Sequence, residues 1–404
     1  MKKIISLLIA VIVLMTFTSC ESRDKPELMR NSVKYTRFYN SSSDEKYVPL
    51  NYDVMKGMWV TYFELAKIIS GKTEQQFRTG FEKICEDAES IGVNTLFVHV
   101  RAFSDSFYYS GIYPMSLVFT GERFDALKDM AEIAHRHKLS LHAWINPLRC
   151  ETKENVSVYE GTAINDWINK PAEYDEYICY LEKDGHYWLD PAASEVRAFI
   201  AEGTAEIVRN YDVDGIHIDD YFYPTDEPFF DAGRYVESGT SMPLDEWRRE
   251  NCSLMVSEIY QAVKREDKAV LFGISPQGNI GNNYTYVNAD VKRWSTEKGF
   301  ADYILPQIYY GYKNDVKPFS EALEDWVELC RDKHIKLVIG TAAYKLETEA
   351  EYIEDRGIIG RQIADALDTC DGAAVYSYGS LFGEHSGRVS EEVEYIRSAF
   401  CKNS

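Results

Sequence analysis

The run Val213-Asp214-Gly215-Ile216-His217-Ile218-Asp219-Asp220-Tyr221-Phe222-Tyr223-Pro224 ends an apolar, β-branched stretch with two adjacent carboxylates. Side chains alternate along a strand, so Ile216 and Ile218 share one face while His217, Asp219 and Tyr221 share the other. A carboxylate at such a strand end can serve as the nucleophile, or as the stabiliser of an oxocarbenium-like transition state, in glycoside cleavage. It can equally be a structural group bonded to backbone. Asp220 faces the opposite way if the strand stays extended, and reaches the same side only if the chain turns; it is the reserve catalytic carboxylate. Adjacent acids on one strand bracket a bond poorly. A partner acid is therefore expected from another loop, with Asp105, Asp190 and Glu227 as candidates that serve as well for surface or loop-capping duty.

These acids need a scaffold, and the chain repeats one pattern: a short apolar run, then a longer segment with helical spacing. The runs fall at 57–63, 95–100, 140–147, 214–221, 270–276, 303–310, 336–342 and 373–378. Between the first two, Thr73 and Gln76 form a capping box, Phe77, Phe81, Ile84, Cys85, Ala88 and Ile91 share a helical face, and Gly92 is the stop. Strands alternating with helices imply a parallel sheet, and eight sequential units favour closure into a (β/α)8 TIM barrel, with a doubly wound open sheet as the alternative fold. Active sites of such barrels lie at the C-terminal strand ends. Those ends bring polar and aromatic residues together, as a site for sugars requires: hydrogen-bonding groups for hydroxyls and flat rings for C–H faces.

Arg101 and Arg149 end strands two and three, placed to hold a substrate carboxylate or orient Asp219, or else to close the barrel top with an ion pair. His142 and His217 project from neighbouring strands beside a carboxylate, yet no H-x-H or H-E-x-x-H spacing supports a metal, and neither metal nor cofactor is expected. Trp59, Trp144, Tyr309 and Tyr310 are candidate sugar platforms, with Trp59 also readable as core. Asn146 and Gln307 suit hydrogen bonds to ring hydroxyls, and Asp190 and Tyr221 join the residues expected to line the mouth. Two long insertions, 150–195 and 224–245, are rich in Tyr, Trp and acids, as cleft walls would be; decoration without a ligand is the other reading.

Several of these stretches together resemble the glycosyl-hydrolase-like family ten domain: Gly57-Met58-Trp59-Val60-Thr61, Val100-Arg101 through Asp105 to Tyr108, His142-Ala143-Trp144-Ile145-Asn146-Pro147 with Arg149, Trp188-Leu189-Asp190-Pro191, the strand-four run, Gly273-Ile274-Ser275-Pro276 and Pro306-Gln307-Ile308-Tyr309. The likeness spans about residues 55–385 in matching order. It implies a TIM-barrel hydrolase, acting on peptidoglycan glycan strands in envelope members, with the family's strand-four Asp at Asp219. Strand four is also faintly similar to that of family 18 chitinases, Asp-Gly-x-Asp-x-Asp-x-Glu. Here His217 replaces the second Asp and Tyr221 stands where the Glu would be, which does not favour substrate-assisted chitinase chemistry.

Residues 1–19 read as a secretory signal, with Lys2 and Lys3 before an apolar run too short to span a bilayer. Cys20 is similar to a lipobox cysteine, with Phe17 where Leu is usual. It predicts a lipid anchor on the outer face of a bacterial membrane, followed by a flexible tether over 20–51 and one domain over 52–404. Net charge is −21, and losing Lys2 and Lys3 leaves 42 basic against 65 acidic residues, or −23. Such a surface repels phosphate backbones and excludes nucleic acid as an expected partner. The seven cysteines after Cys20 are odd in number and lack C-x-x-C spacing, so buried free thiols are expected. The function so read is glycoside hydrolysis of a glycan, with a non-catalytic glycan-binding lipoprotein second and a metal-dependent deacetylase or amidohydrolase third; the oligomeric state is open.

Overall fold

A computed structural model describes residues 47–174, 177–331, 334–384 and 386–402. Residues 1–46, which carry the expected signal, Cys20 and most of the expected tether, lie outside the described residues.

Among the described residues eleven strands occur in chain order: β1 (Met55–Val60), β2 (Thr95–Arg101), β3 (Ser140–Ile145), β4 (Arg149–Thr152), β5 (Ile178–Leu181), β6 (His186–Leu189), β7 (Gly215–Ile218), β8 (Leu271–Ile274), β9 (Tyr303–Ile304), β10 (Lys336–Ala342) and β11 (Gly372–Tyr376). Eight of them close a parallel barrel in the order β1-β11-β10-β9-β8-β7-β3-β2, a TIM barrel with all eight expected strands in place. Met55 pairs with Gly372 and Gly57 with Thr95, so β1 is bonded on both sides and no edge remains. The insertion after β3 is more than a loop, since β4, β5 and β6 form a separate antiparallel sheet. The expected alternation of helices holds in detail. Thr73 accepts the Gln76 N–H at the start of Glu74–Ser90, the predicted apolar face is buried, and Gly92 adopts φ 83°.

Two apolar layers follow. Between strands and helices lies a large core, while the barrel interior holds a second cluster that includes Trp59, Phe97, Trp144, Tyr303, Leu305 and Val338. Rings of that size fit inside a closed barrel only where the facing strands have no side chain. A Cβ added at Gly273 would stand 1.8 Å from the Tyr303 ring, one at Gly215 2.4 Å from His142 Nδ1 and one at Gly57 2.5 Å from Phe97. The buried polar atoms of this layer bond to one another: Trp59 Nε1 donates to His217 Nε2 at 3.1 Å, and Tyr303 Oη lies 2.9 Å from Nδ1 of both His217 and His142. Since His217 Nε2 accepts, its proton is on Nδ1 and points to Tyr303, whose own hydroxyl proton is left for His142. Burial keeps both histidines neutral, His142 down to about 4 and His217 well below the usual range.

At the opposite end the described part of the expected tether is docked. Tyr47 Oη (2.5 Å) and the Leu50 N–H (2.6 Å) donate to Asp214 Oδ1, whose other oxygen meets His135 Nε2 and the Leu141 N–H. The first Asp of the strand-four run is thus a clasp at the barrel floor. All seven described cysteines are free, as expected, but only Cys85, Cys150, Cys252 and Cys330 are buried; Cys179 and Cys370 are partly exposed and Cys401 is exposed. No described helix is long and apolar enough to cross a membrane.

Substitution tests the ring-against-glycine interior. Gly273→Ala should lower the urea unfolding free energy by at least about 2 kcal/mol through overpacking. Gly387→Ala, where an added Cβ meets nothing within 4 Å, should change it by less than about 1 kcal/mol.

Candidate active site

β7 stops at Ile218, and the turn that follows brings both Asp219 and Asp220 to the barrel mouth. Asp219 is 5% exposed. Its Oδ1 accepts from Asn146 Nδ2 at 2.6 Å. Asp220 Oδ1 accepts from Gln307 Nε2 at 3.2 Å, and the same amide nitrogen also reaches the Ser275 carbonyl at 3.0 Å. The two carboxyls form one electrostatic unit. Burial raises the pKa of both, and the Asp220 charge raises that of Asp219 further; the Asn146 amide, the Tyr221 backbone N–H and the Trp144 indole only partly offset this. Gln307 and Gln277 favour the charged form of Asp220. The balance favours the proton on Asp219, while the amides around Asp220 favour its charged form.

The donor behind Asp219 is itself held. Asn146 gives its N–H to Asp219, so its Oδ1 accepts from His99 Nε2 at 2.9 Å, and His99 carries its proton on that nitrogen. Burial drops the His99 pKa to about 3, so the ring stays neutral. His99 stacks on Trp144 with centroids 3.8 Å apart. The Trp144 N–H lies close enough to Asp219 to favour its charged form without completing a hydrogen bond.

Aromatic rings surround the pair. Tyr309, Tyr344 and Tyr376 form one group, with centroids 5.9–6.1 Å apart. Tyr62, Phe103, Tyr221 and Trp188 form another, with Tyr62 5.2 Å from Phe103 and Trp188 6.0 Å from Tyr221. Trp188 comes from β6, so the insertion sheet contributes to the mouth. Glu64 closes the seam between the first and last strands. It caps Thr61, and its other oxygen takes the Ser377 hydroxyl at 2.6 Å and the Gly379 N–H at 2.5 Å.

The structure brings Asp219, Asp220, Trp144, Asn146, Arg149, Tyr221, Gln307 and Tyr309 together and places the other expected residues elsewhere. Arg101 is buried over the Tyr113 ring at 4.3 Å, against Gly203 of the helix Ser194–Asn210, because a register shift between His99 and Arg101 turns it out of the barrel. His142, His217 and Trp59 lie in the barrel interior beneath the mouth. Tyr310 faces outward into the outer core. Asp105 Oδ1 takes the backbone N–H groups of Ala102 and Phe103, and its Oδ2 is buried without a hydrogen-bond partner. Asp190 pairs with Arg234 at 2.9 Å and caps the Ala192 N–H. Glu227 is exposed on the second insertion. Asn146 supports Asp219 instead of standing free for a sugar hydroxyl, both ends of its amide being engaged. Residues not singled out from the sequence are His99, Tyr62, Phe103, Gln277, Tyr344 and Tyr376; alternation from Phe97 was a signal for His99. Among the described residues no group of three or more His, Cys, Asp or Glu is arranged to hold a metal.

Two measurements follow from the desolvated pair. A carboxyl whose pKa is raised on folding adds stability below its unfolded value that is lost as pH rises through its folded value. Asp219→Asn should therefore raise the melting temperature by a few degrees at about pH 8 and leave it nearly unchanged at about pH 4. His99→Leu frees the Asn146 amide to rotate and removes an anion-stabilising donor, so the alkaline pKa of the pair should rise by about 0.5–1 unit. His99→Gln, which can still donate, should restore it; equal behaviour of the two variants in a carboxyl titration by NMR would show that His99 only fills space.

The chain is similar to several known proteins. Glycosyl hydrolase YngK of Bacillus subtilis is 31% identical over 68% of this chain, which spans 58% of YngK's length. Glycosyl hydrolase DigH of Escherichia coli is 29% identical, over 77% of each chain. The glycoside hydrolase domain of PgaB (BpsB) from Bordetella bronchiseptica superposes with a TM-score of 0.59 at 10% identity, covering 86% of this chain and 99% of that one. The endo-1,4-β-mannanase of Rhizomucor miehei superposes at 0.56 and 11% identity, covering 89% and 99%; likenesses at this identity speak for the fold. Residues 54–355 match the glycosyl hydrolase-like 10 family, and the chain belongs to it.

Proposed function

We propose that this barrel is a glycoside hydrolase that cleaves a glycan at the Asp219–Asp220 pair. The observation that carries the reading is a pair of adjacent carboxyls, one of them desolvated by burial so that its protonated form is favoured, at the C-terminal end of a barrel strand and within a ring of tyrosines. Protonation of the glycosidic oxygen requires an acid that retains its proton at working pH, and burial supplies it. In this reading Asp219 donates the proton to the leaving oxygen, while Asp220, held by Gln307, faces the positive charge that develops at the anomeric carbon. This refines the sequence expectation, which made Asp219 the nucleophile or stabiliser: its burial and its neighbour's charge suit it better to proton donation. Tyr221, Tyr309, Tyr344 and Tyr376 offer flat faces to sugar rings.

The glycosyl hydrolases among its relatives favour hydrolysis over a purely glycan-binding role. Within this proposal the substrate is a polysaccharide of the cell envelope, such as peptidoglycan glycan strands. The apolar start and Cys20 support secretion and lipid anchoring at the outer face of a bacterial membrane.

The test is release of reducing ends from isolated peptidoglycan and a polysaccharide panel. Asp219→Asn and Asp220→Asn should each lower kcat/KM by about 100-fold or more without loss of fold. Wild-type activity should fall on the alkaline side as Asp219 gives up its proton, and Asp219→Asn should abolish that limb. Undiminished turnover by both variants would refute the assignment.

A further inference from the structure

Arg149 differs from the other arginines near the mouth. It begins β4, directly above β3, and its Cζ lies 4.7 Å from the Phe103 ring centroid and 5.0 Å from that of Tyr221. Its Nη2 reaches His186 Nε2 at 3.3 Å. His186 Nδ1 is 2.8 Å from the Cys150 carbonyl, so it donates there and leaves Nε2 as a lone pair for the arginine. His186 also stacks parallel on Phe103, at 5.4 Å and 4°. The guanidinium is thus clamped on three sides by neutral groups.

No carboxylate completes it. Among the described residues none of the ion pairs within 4.0 Å includes Arg149, whereas Arg197, Arg234 and Arg248 each have one. Its Nε is buried without a partner. The acids nearest in sequence are not bonded to it: Glu151 feels the Arg149 charge but takes the Asn155 amide at 3.1 Å, and Asp184 takes the Trp188 N–H at 2.8 Å and the His186 N–H at 3.0 Å. The charge faces the mouth, where it acts on the Tyr62 and Tyr221 hydroxyls. In a chain with 65 acidic and 44 basic residues, a held, half-buried cation without a counter-ion carries a desolvation cost that an incoming anion would offset. The clamp also removes the side-chain entropy that binding would otherwise cost.

We propose that Arg149, with Phe103, Tyr221 and His186, forms a subsite for a carboxylate carried on a sugar ring, next to the Asp219–Asp220 pair. It rests on the glycan reading of that mouth and adds a charge requirement to it. The planar guanidinium offers its Nη donors to the carboxylate, and the tyrosine ring supports the sugar face. The acidic surface repels polyanions at long range, so one carboxylate is admitted where one cation is provided.

Binding separates the subsite from catalysis. Glucuronate and its neutral glucuronamide are titrated calorimetrically into the intact chain carrying Asp219→Asn, so that no turnover interferes. Glucuronate should bind about tenfold more tightly than the amide, and raising salt from about 50 to 500 mM should erode the difference. Arg149→Gln should abolish it, while Arg149→Lys, which keeps the charge without the planar fork, should retain part; a packing role would be disturbed alike by both. Equal binding of the two sugars, no detectable binding of glucuronate, or a preference that survives Arg149→Gln would overturn the proposal. Carboxylate-selective binding in a chain that hydrolyses nothing would keep the subsite and reject the hydrolase; hydrolysis indifferent to carboxylates would do the reverse.

Discussion

A closed parallel barrel encloses a space that side chains must fill, and here it is filled by rings set against bare backbone. Phe97, His142 and Tyr303 occupy it because Gly57, Gly215 and Gly273 leave room on the neighbouring strands. Interiors packed at crystal-like density tolerate neither voids nor extra atoms, so this exchange sets how high the packed floor stands. Asp219 lies directly above that floor and is desolvated by it. The polar atoms among the rings are tied into a chain from Trp59 through His217 and Tyr303 to His142, which lets imidazoles sit in an apolar layer without charge.

Desolvation then supplies the chemistry. Two adjacent carboxyls, Asp219 buried and Asp220 partly exposed, cannot both ionise cheaply, and the groups around them decide which one does. Amide side chains do this work at both acids: Gln307 at Asp220, and Asn146 at Asp219. Asn146 is effective only because His99 fixes which end of its amide faces the acid. A neutral histidine two hydrogen bonds removed from Asp219 thereby has a place in the proton economy of the site.

The wall of the mouth has a different origin from its floor. Floor residues come from barrel strands, where alternation and register leave little freedom. Tyr62, Phe103, Arg149, Trp188 and Tyr221 come from strand ends, loops and the small antiparallel sheet. Ion pairs between Asp190 and Arg234 and between Asp231 and Arg248 tie down the two insertions. Acids that looked available for catalysis are in this way the supports of the segments that shape the cleft.

The residue pattern by itself determined the eight strands, their helices, closure into a barrel, and the mouth position of Asp219, because burial on one face imposes a period that is visible in any chain. It also held the family likeness. Tertiary structure alone decided the rest. Whether Arg101 faces in or out depended on a register shift after His99, which alternation cannot foresee. The depths of His142, His217 and Trp59 depended on how far each strand is sheared against its neighbours, and the duties of Asp105 and Asp190 on loops brought together from distant positions. Periodicity is a local property and survives in the sequence; register, depth and the partner of a charge are relations between segments, and exist only once the barrel has closed.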